Sequence, residues 1–100
     1  MRIQLQAPFQ VSEPMQTLIE EKVYKLTNCY GRVTTTRVFL KDEINRFHHK
    51  DQRAVEIQME VPGNTLFAED SAETFEKAIA GATEKMRRQL KRYKERLQAH

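Results

Sequence analysis

The sequence predicts an α+β fold: a two-layer sandwich in the order β-α-β-β-β-α, with a four-stranded sheet and two helices packed on one face. Three observations predict it. AVEIQMEV (Ala54–Val61) alternates apolar and polar residues without a break, as a strand buried on one side must. Phe75, Ala78, Ile79, Ala82, Met86, Leu90, Tyr93 and Leu97 hold a single stripe at helical spacing. Between an early helix and this late one lie three consecutive strand-like segments, which invites antiparallel pairing, and both helices need the same apolar sheet face. At 100 residues the chain has the length for one domain with a modest core.

The elements follow in order. Ile3 and Leu5 alternate with Arg2, Gln4 and Gln6, a first strand reaching about Phe9. Ser12 offers an N-cap oxygen and Pro14 sits where a missing N–H does no harm. Met15, Leu18, Ile19, Val23 and Leu26 then mark a helix to about Asn28, ended by Gly31. RVTTTRVFLK (Arg32–Lys41) is rich in β-branched residues and forms the second strand, with Thr36, Val38 and Leu40 on one face. KDEINRFHHKDQ is polar and unpatterned, hence a loop. In the third strand Val55, Ile57, Met59 and Val61 point inward. PGN (Pro62–Asn64) turns the chain into a fourth strand, Thr65–Glu69. Asp70 or Ser71 caps the last helix, Asp70 with Glu73 resembling a capping box. That helix runs from Ser71 to about Gln98, roughly 40 Å at ~1.5 Å per residue, with its last turns overhanging the sheet.

The longest apolar runs are three or four residues, which excludes a transmembrane helix, and the N-terminus lacks the apolar centre of a signal peptide. A lone Cys29 cannot form an internal disulfide, so a reducing, cytoplasmic compartment is expected. The net charge is only +3, but it is unevenly spread. Residues 85–96 hold seven bases and one acid, a local +6, leaving ten bases and thirteen acids, net −3, in the other 88 residues.

Stepping about 100° per residue from Met86 puts Arg87, Lys91 and Lys94 on one flank of the apolar stripe. Lys85, Arg92 and Arg96 fall on the other flank, and Arg88 points nearly opposite the core. Bases therefore cover the whole solvent arc of the C-terminal half. A solvated helix with cations near its C-terminus gains only ~0.3–1 kcal/mol, and that gain fades within the last turn. These bases span about three turns and repel one another unless a polyanion relieves them. A nucleic-acid surface driven by counterion release is the better reading. A membrane-surface helix is disfavoured, because the sheet needs its apolar stripe and no Trp or Phe sits at its charged end. Lys22, Lys25 and Arg32 extend the patch if the two helices share a layer, while Glu56 and Glu60 lie on the opposite, outer sheet face.

Three stretches carry a resemblance. KVYKLTNCYGRV (Lys22–Val33), VFLK (Val38–Lys41) and EKMRRQLKRYKERL (Glu84–Leu97) are similar, in order, to motifs of the ribosome hibernation promoting factor family. The family is also known as ribosome-associated inhibitor A or sigma-54 modulation protein. The likeness spans essentially the whole chain. It implies one ribosome-binding domain over residues 1–100 that occupies the small-subunit channel between head and body. There it would block the mRNA and tRNA sites in starved or stationary-phase cells. By motif position it implies rRNA contacts at Lys22, Lys25, Arg32, Lys85, Arg88, Arg92, Lys94 and Arg96; Arg87 and Lys91 rest on charge alone. Family members often carry an acid where this chain has Ala80. Ending at His100, the chain is expected to be of the short type, without a dimerisation domain.

No cofactor, metal or small-molecule substrate is expected. His48 and His49 with Asp51 make a poor metal constellation and read as a solvated loop. Phe47 in that loop is a candidate partner contact. Cys29 reads as partly buried. Tyr24, Tyr30 and Tyr93 could stack on bases, although Tyr93 lies on the core stripe. An acylphosphatase-like enzyme needs a Gly-containing loop with a fixed Arg after the first strand, and APFQVSEP has neither. The remaining alternatives are a generic double-stranded RNA binder and a non-enzymatic protein-interaction regulator.

Overall fold

The computed structural model describes residues 1–45 and 50–98. The elements are β1 (Arg2–Gln6), α1 (Glu13–Leu26), β2 (Thr35–Asn45), β3 (Lys50–Val61), β4 (Asn64–Ala72) and α2 (Phe75–Gln98). They form one mixed sheet in the order β1-β2-β3-β4, with β1 parallel to β2 and the other pairs antiparallel. A parallel pair needs a crossover, which α1 provides. The α+β sandwich expected from the sequence is the fold observed.

The core lies between the layers. Ile19, Val23 and Leu26 of α1 and Ala78, Ile79, Ala82, Met86 and Leu90 of α2 meet Val38, Leu40, Val55, Ile57, Met59 and Val61 of the sheet. Thr36 is fully buried in this layer and donates its hydroxyl to Met1 Sδ at 3.1 Å. Ser12 caps α1 as expected, accepting the Met15 N–H at 3.3 Å, with Pro14 in the first turn. Past Leu26 the N–H groups of Thr27, Asn28 and Cys29 each reach a carbonyl three residues back, so a tighter turn carries the coil on.

Four boundaries differ from expectation. β1 ends at Gln6, where Pro8 follows, and Phe9 packs on Phe75 instead, ring centroids 5.3 Å apart. β2 begins at Thr35, after a connection in which Val33 is buried and Thr34 N–H donates to the Glu60 carbonyl. The segment expected as a loop is mostly strand, since β2 and β3 stay paired as far as Asn45 opposite Lys50. β4 pairs with β3 only up to Arg53, so beyond it, among the described residues, the β2–β3 ribbon stands without a third strand. The Asp42–Arg53 ion pair, 3.0 Å across the ladder, marks where the apolar alternation ends. His48, His49 and Phe47 lie outside the described residues.

The fourth difference concerns the start of α2. β4 continues to Ala72, and Thr74 is the cap: its hydroxyl accepts the Lys77 N–H at 3.2 Å. The Asp70–Glu73 capping box does not form, because strand pairing with β3 outcompetes a local cap at Ser71 and Asp70. Gly63 takes φ 81° in the β3–β4 turn, a conformation that disfavours a Cβ. The apolar stripe of α2 is buried as far as Leu90. Tyr93 is half-buried and donates its hydroxyl to the Pro62 carbonyl at 2.8 Å, and Leu97 is 47% exposed. The last turn therefore overhangs the core.

Candidate nucleic-acid interface

The stripe that docks α2 sends its basic arc outward. Lys85, Arg87, Arg88, Lys91, Arg92, Lys94 and Arg96 are all exposed, as are Lys25 and Arg32, while Lys22 is half-buried. The sandwich sets α1 beside α2, and a cleft of about 150 Å³ between them is lined by Lys22, Lys25, Cys29, Thr83, Glu84 and Arg87. Bases from two helices distant in sequence thus share one surface. Arg32 lies in the connection after α1 and does not line this cleft.

The bases divide into two groups. Arg87 is held by Glu84 in a two-pronged contact, Nε at 2.9 Å and Nη2 at 2.7 Å, and Arg88 Nε stands 3.4 Å from the same carboxylate. The Arg87 hydrogen bond, aided by both guanidinium charges, holds the Glu84 carboxyl below its ordinary range, and the same contact pushes Arg87 up. Lys85 turns back toward the sheet, donating to Asp70 Oδ1 at 3.1 Å and the Glu69 carbonyl at 3.0 Å. Lys91, Arg92, Lys94 and Arg96 make no ion pair among the described residues. Setting Asp70, Glu84 and Glu95 against the seven bases still leaves +4 on this ridge.

Two residues that sequence reasoning missed shape the ridge. Gly81 faces Asp70 so closely that a Cβ there would overlap the carboxylate. This lets Asp70 lie against α2 and hold Lys85. Gln89 donates its amide to the Phe67 carbonyl, a second tie between α2 and β4. Neither is legible in the sequence, since both partners lie more than ten residues away.

On the opposite sheet face Glu60 and Glu56 are each paired with a base. Glu60 meets Arg37 at 2.5 Å and Glu56 meets Lys41 at 3.1 Å. Hydrogen bonds from Gln58 and then Lys41 hold the Glu56 carboxyl below its ordinary value. Of the tyrosines, Tyr30 and Tyr93 pack edge to face at 5.6 Å and serve the fold. Tyr24 is 52% exposed, about 100° around α1 from Val23 and on the side opposite Lys22. Among the described residues no three His, Cys, Asp or Glu side chains gather as a metal site.

The family model described as Sigma 54 modulation protein / S30EA ribosomal protein matches residues 3–98. The chain belongs to that family. A ribosome hibernation promotion factor of Deinococcus radiodurans is 34% identical over 87 residues, covering 87% of this chain and 45% of that protein. The chain thus spans less than half the length of that relative. A ribosome hibernation promoting factor of Pseudomonas putida is 29% identical over 90 residues, 90% of this chain and 82% of the relative. The fold matches a ribosomal subunit interface protein of Coxiella burnetii with a TM-score of 0.80 at 22% identity, covering 94% of this chain and 98% of that one. It also matches the N-terminal domain of Thermus thermophilus Protein Y, TM-score 0.76 at 22% identity, covering 93% and 99%. The family resemblance drawn from the three sequence motifs is the one the family model identifies.

Proposed function

We propose that this chain is a ribosome hibernation factor that lays its basic helical ridge on small-subunit rRNA and sterically closes the mRNA and tRNA channel. The observation that carries the reading is the group of four cations on α2, Lys91, Arg92, Lys94 and Arg96, that no carboxylate among the described residues neutralises. Beside them the interhelical cleft adds Lys22, Lys25 and Arg87. Folded RNA offers a rigid phosphate array, and a preformed cationic ridge matches it by shape and charge without reading bases. Arg88 extends the surface on the solvent side of α2, Arg32 contacts rRNA from the connection after α1 in this reading, and Lys85 contributes at the rim while tethered to Asp70. The names of the relatives support the ribosome as partner.

Residues 1–100 act as one ribosome-binding domain in this reading, in the bacterial cytoplasm, under starvation or in stationary phase. Occupancy alone inhibits; no bond is made or broken. No helix among the described residues is long and apolar enough to cross a membrane.

The test is co-sedimentation of the purified protein with small subunits and whole ribosomes on sucrose gradients, with cell-free translation alongside. The protein should travel with the small subunit, be released by high salt and inhibit translation. Arg88→Glu combined with Arg92→Glu should lose both properties and keep its fold, since both side chains face solvent. Unchanged inhibition by that variant refutes the site, and equal affinity for an arbitrary RNA duplex favours a generic RNA binder.

A further inference from the structure

The sheet has two edges, and the fold treats them differently. Along β4, Lys85 donates to the Glu69 carbonyl and Gln89 to the Phe67 carbonyl, so α2 covers that edge with its own side chains. Along β1, Arg2 N–H donates to the Thr34 carbonyl. By the alternation of the pleat, Gln4 and Gln6 also turn their backbone groups toward β2, while Ile3 and Leu5 turn theirs to the open side. No hydrogen bond from the described residues reaches those outward groups. Free edges are usually guarded by lysines, prolines or bulges. RIQLQ has only Arg2, at one end.

Beside this edge runs a groove of about 430 Å³, lined by Ile3, Leu5, Ala7 and Val11 on the strand side and by Gln16 and Glu20 of α1. We infer that β1 accepts an extended segment of another protein as a fifth strand, with aliphatic side chains in the groove and a lysine or arginine among them against Glu20. The four outward groups of Ile3 and Leu5 supply the ladder, and the aliphatic Ile3, Leu5, Ala7 and Val11 on one wall, with Gln16 and Glu20 on the other, supply the side-chain contacts that make strand addition selective.

Charge decides the occupant. Around α1, in steps of about 100° from Val23, Glu13 and Glu20 fall on the groove side, Glu21 and Lys25 lie together on the far side of the helix, and Lys22 falls on the side away from the groove. A cationic segment suits that acidic flank. A second copy paired through its own β1 would bring two such flanks together, like against like.

The probe is a blocked peptide, threonine-valine-threonine-lysine-threonine-valine-threonine, which sets valine, lysine and valine on one face, with a glutamate version in place of the lysine one. Amide exchange followed by NMR should slow at Ile3 and Leu5 when the lysine peptide is added and stay unchanged at Gln4. The glutamate peptide should bind roughly three- to tenfold more weakly, and Glu20→Gln should shrink that difference. Three results overturn the inference: unchanged exchange at Ile3 and Leu5, equal affinity of the two peptides, or protection that rises with protein concentration alone. The last would mean that a second copy occupies the edge.

Discussion

Replacing Arg92 and Arg96 together by glutamine tests the division between free and paired cations on α2. Glutamine keeps helix propensity close to that of arginine, and both side chains are exposed, so stability should change by no more than about 0.5 kcal/mol. Neither arginine has an ion-pair partner among the described residues, so each is available to displace one condensed cation from RNA. Each phosphate contact contributes about 0.7 to 0.9 to the slope of log affinity against log salt. The double variant should therefore flatten that slope by about 1.4 to 1.8 and weaken binding to small subunits by about 25- to 60-fold at roughly 0.1 M salt. Arg87→Gln is the comparison. Its guanidinium is already held at 2.7 and 2.9 Å by Glu84, so its loss should change the slope by less than about 0.5. The assay is pelleting of labelled protein with small subunits through a sucrose cushion across a salt series. A double variant with the parent slope, or an Arg87→Gln change as large as half the double's, refutes the reasoning.

Gly81→Ala should destabilise the fold by about 1–3 kcal/mol in urea melts, because the new methyl overlaps Asp70. In an Asp70→Ala background the same change should cost less, because the carboxylate is gone and only the Cβ of residue 70, 3.2 Å away, remains against the new methyl. The Glu56 carboxyl is held below its ordinary value of 4.5, so its contribution to stability is fully present above pH 4.5 and is lost as pH falls through its lowered value. Acid unfolding of Glu56→Gln should accordingly show a smaller loss of stability below pH 4.5 than the parent. Ile57 is 1% exposed at the centre of the sheet, and Ile57→Asp should abolish cooperative unfolding by burying a charge, which circular dichroism will reveal.

The misread segments share one physical cause. Alternation is imposed by a neighbouring core, and Lys41 to Gln52 belongs mostly to a ribbon that runs past the third strand. The sequence of Lys41 to Gln52 carries no apolar period, so pattern alone does not mark the strands within it. At Asp70 and Ser71 the short-range signal of a cap competed with ladder pairing to Val55 and Ala54, fifteen or more residues earlier in the chain, and the ladder won. The candidate site divides in the same way. The Glu84 contacts to Arg87 and Arg88 follow helical spacing and could be anticipated, whereas the Asp70–Lys85 and Gln89–Phe67 ties join separate elements.

Local pattern in the chain settles much on its own: the alternating third strand, the Ser12 cap, the long amphipathic helix, and the gathering of positive charge on the face that helix cannot bury. Each depends on residues within a turn or two of one another, so spacing alone carries the information. The three-dimensional arrangement decided which cations are quenched and which are left to act, how α1 adds its lysines to the ridge, and why one sheet edge is covered and the other open. Those outcomes depend on distances between side chains far apart in sequence, which exist only once the two layers have closed on their core.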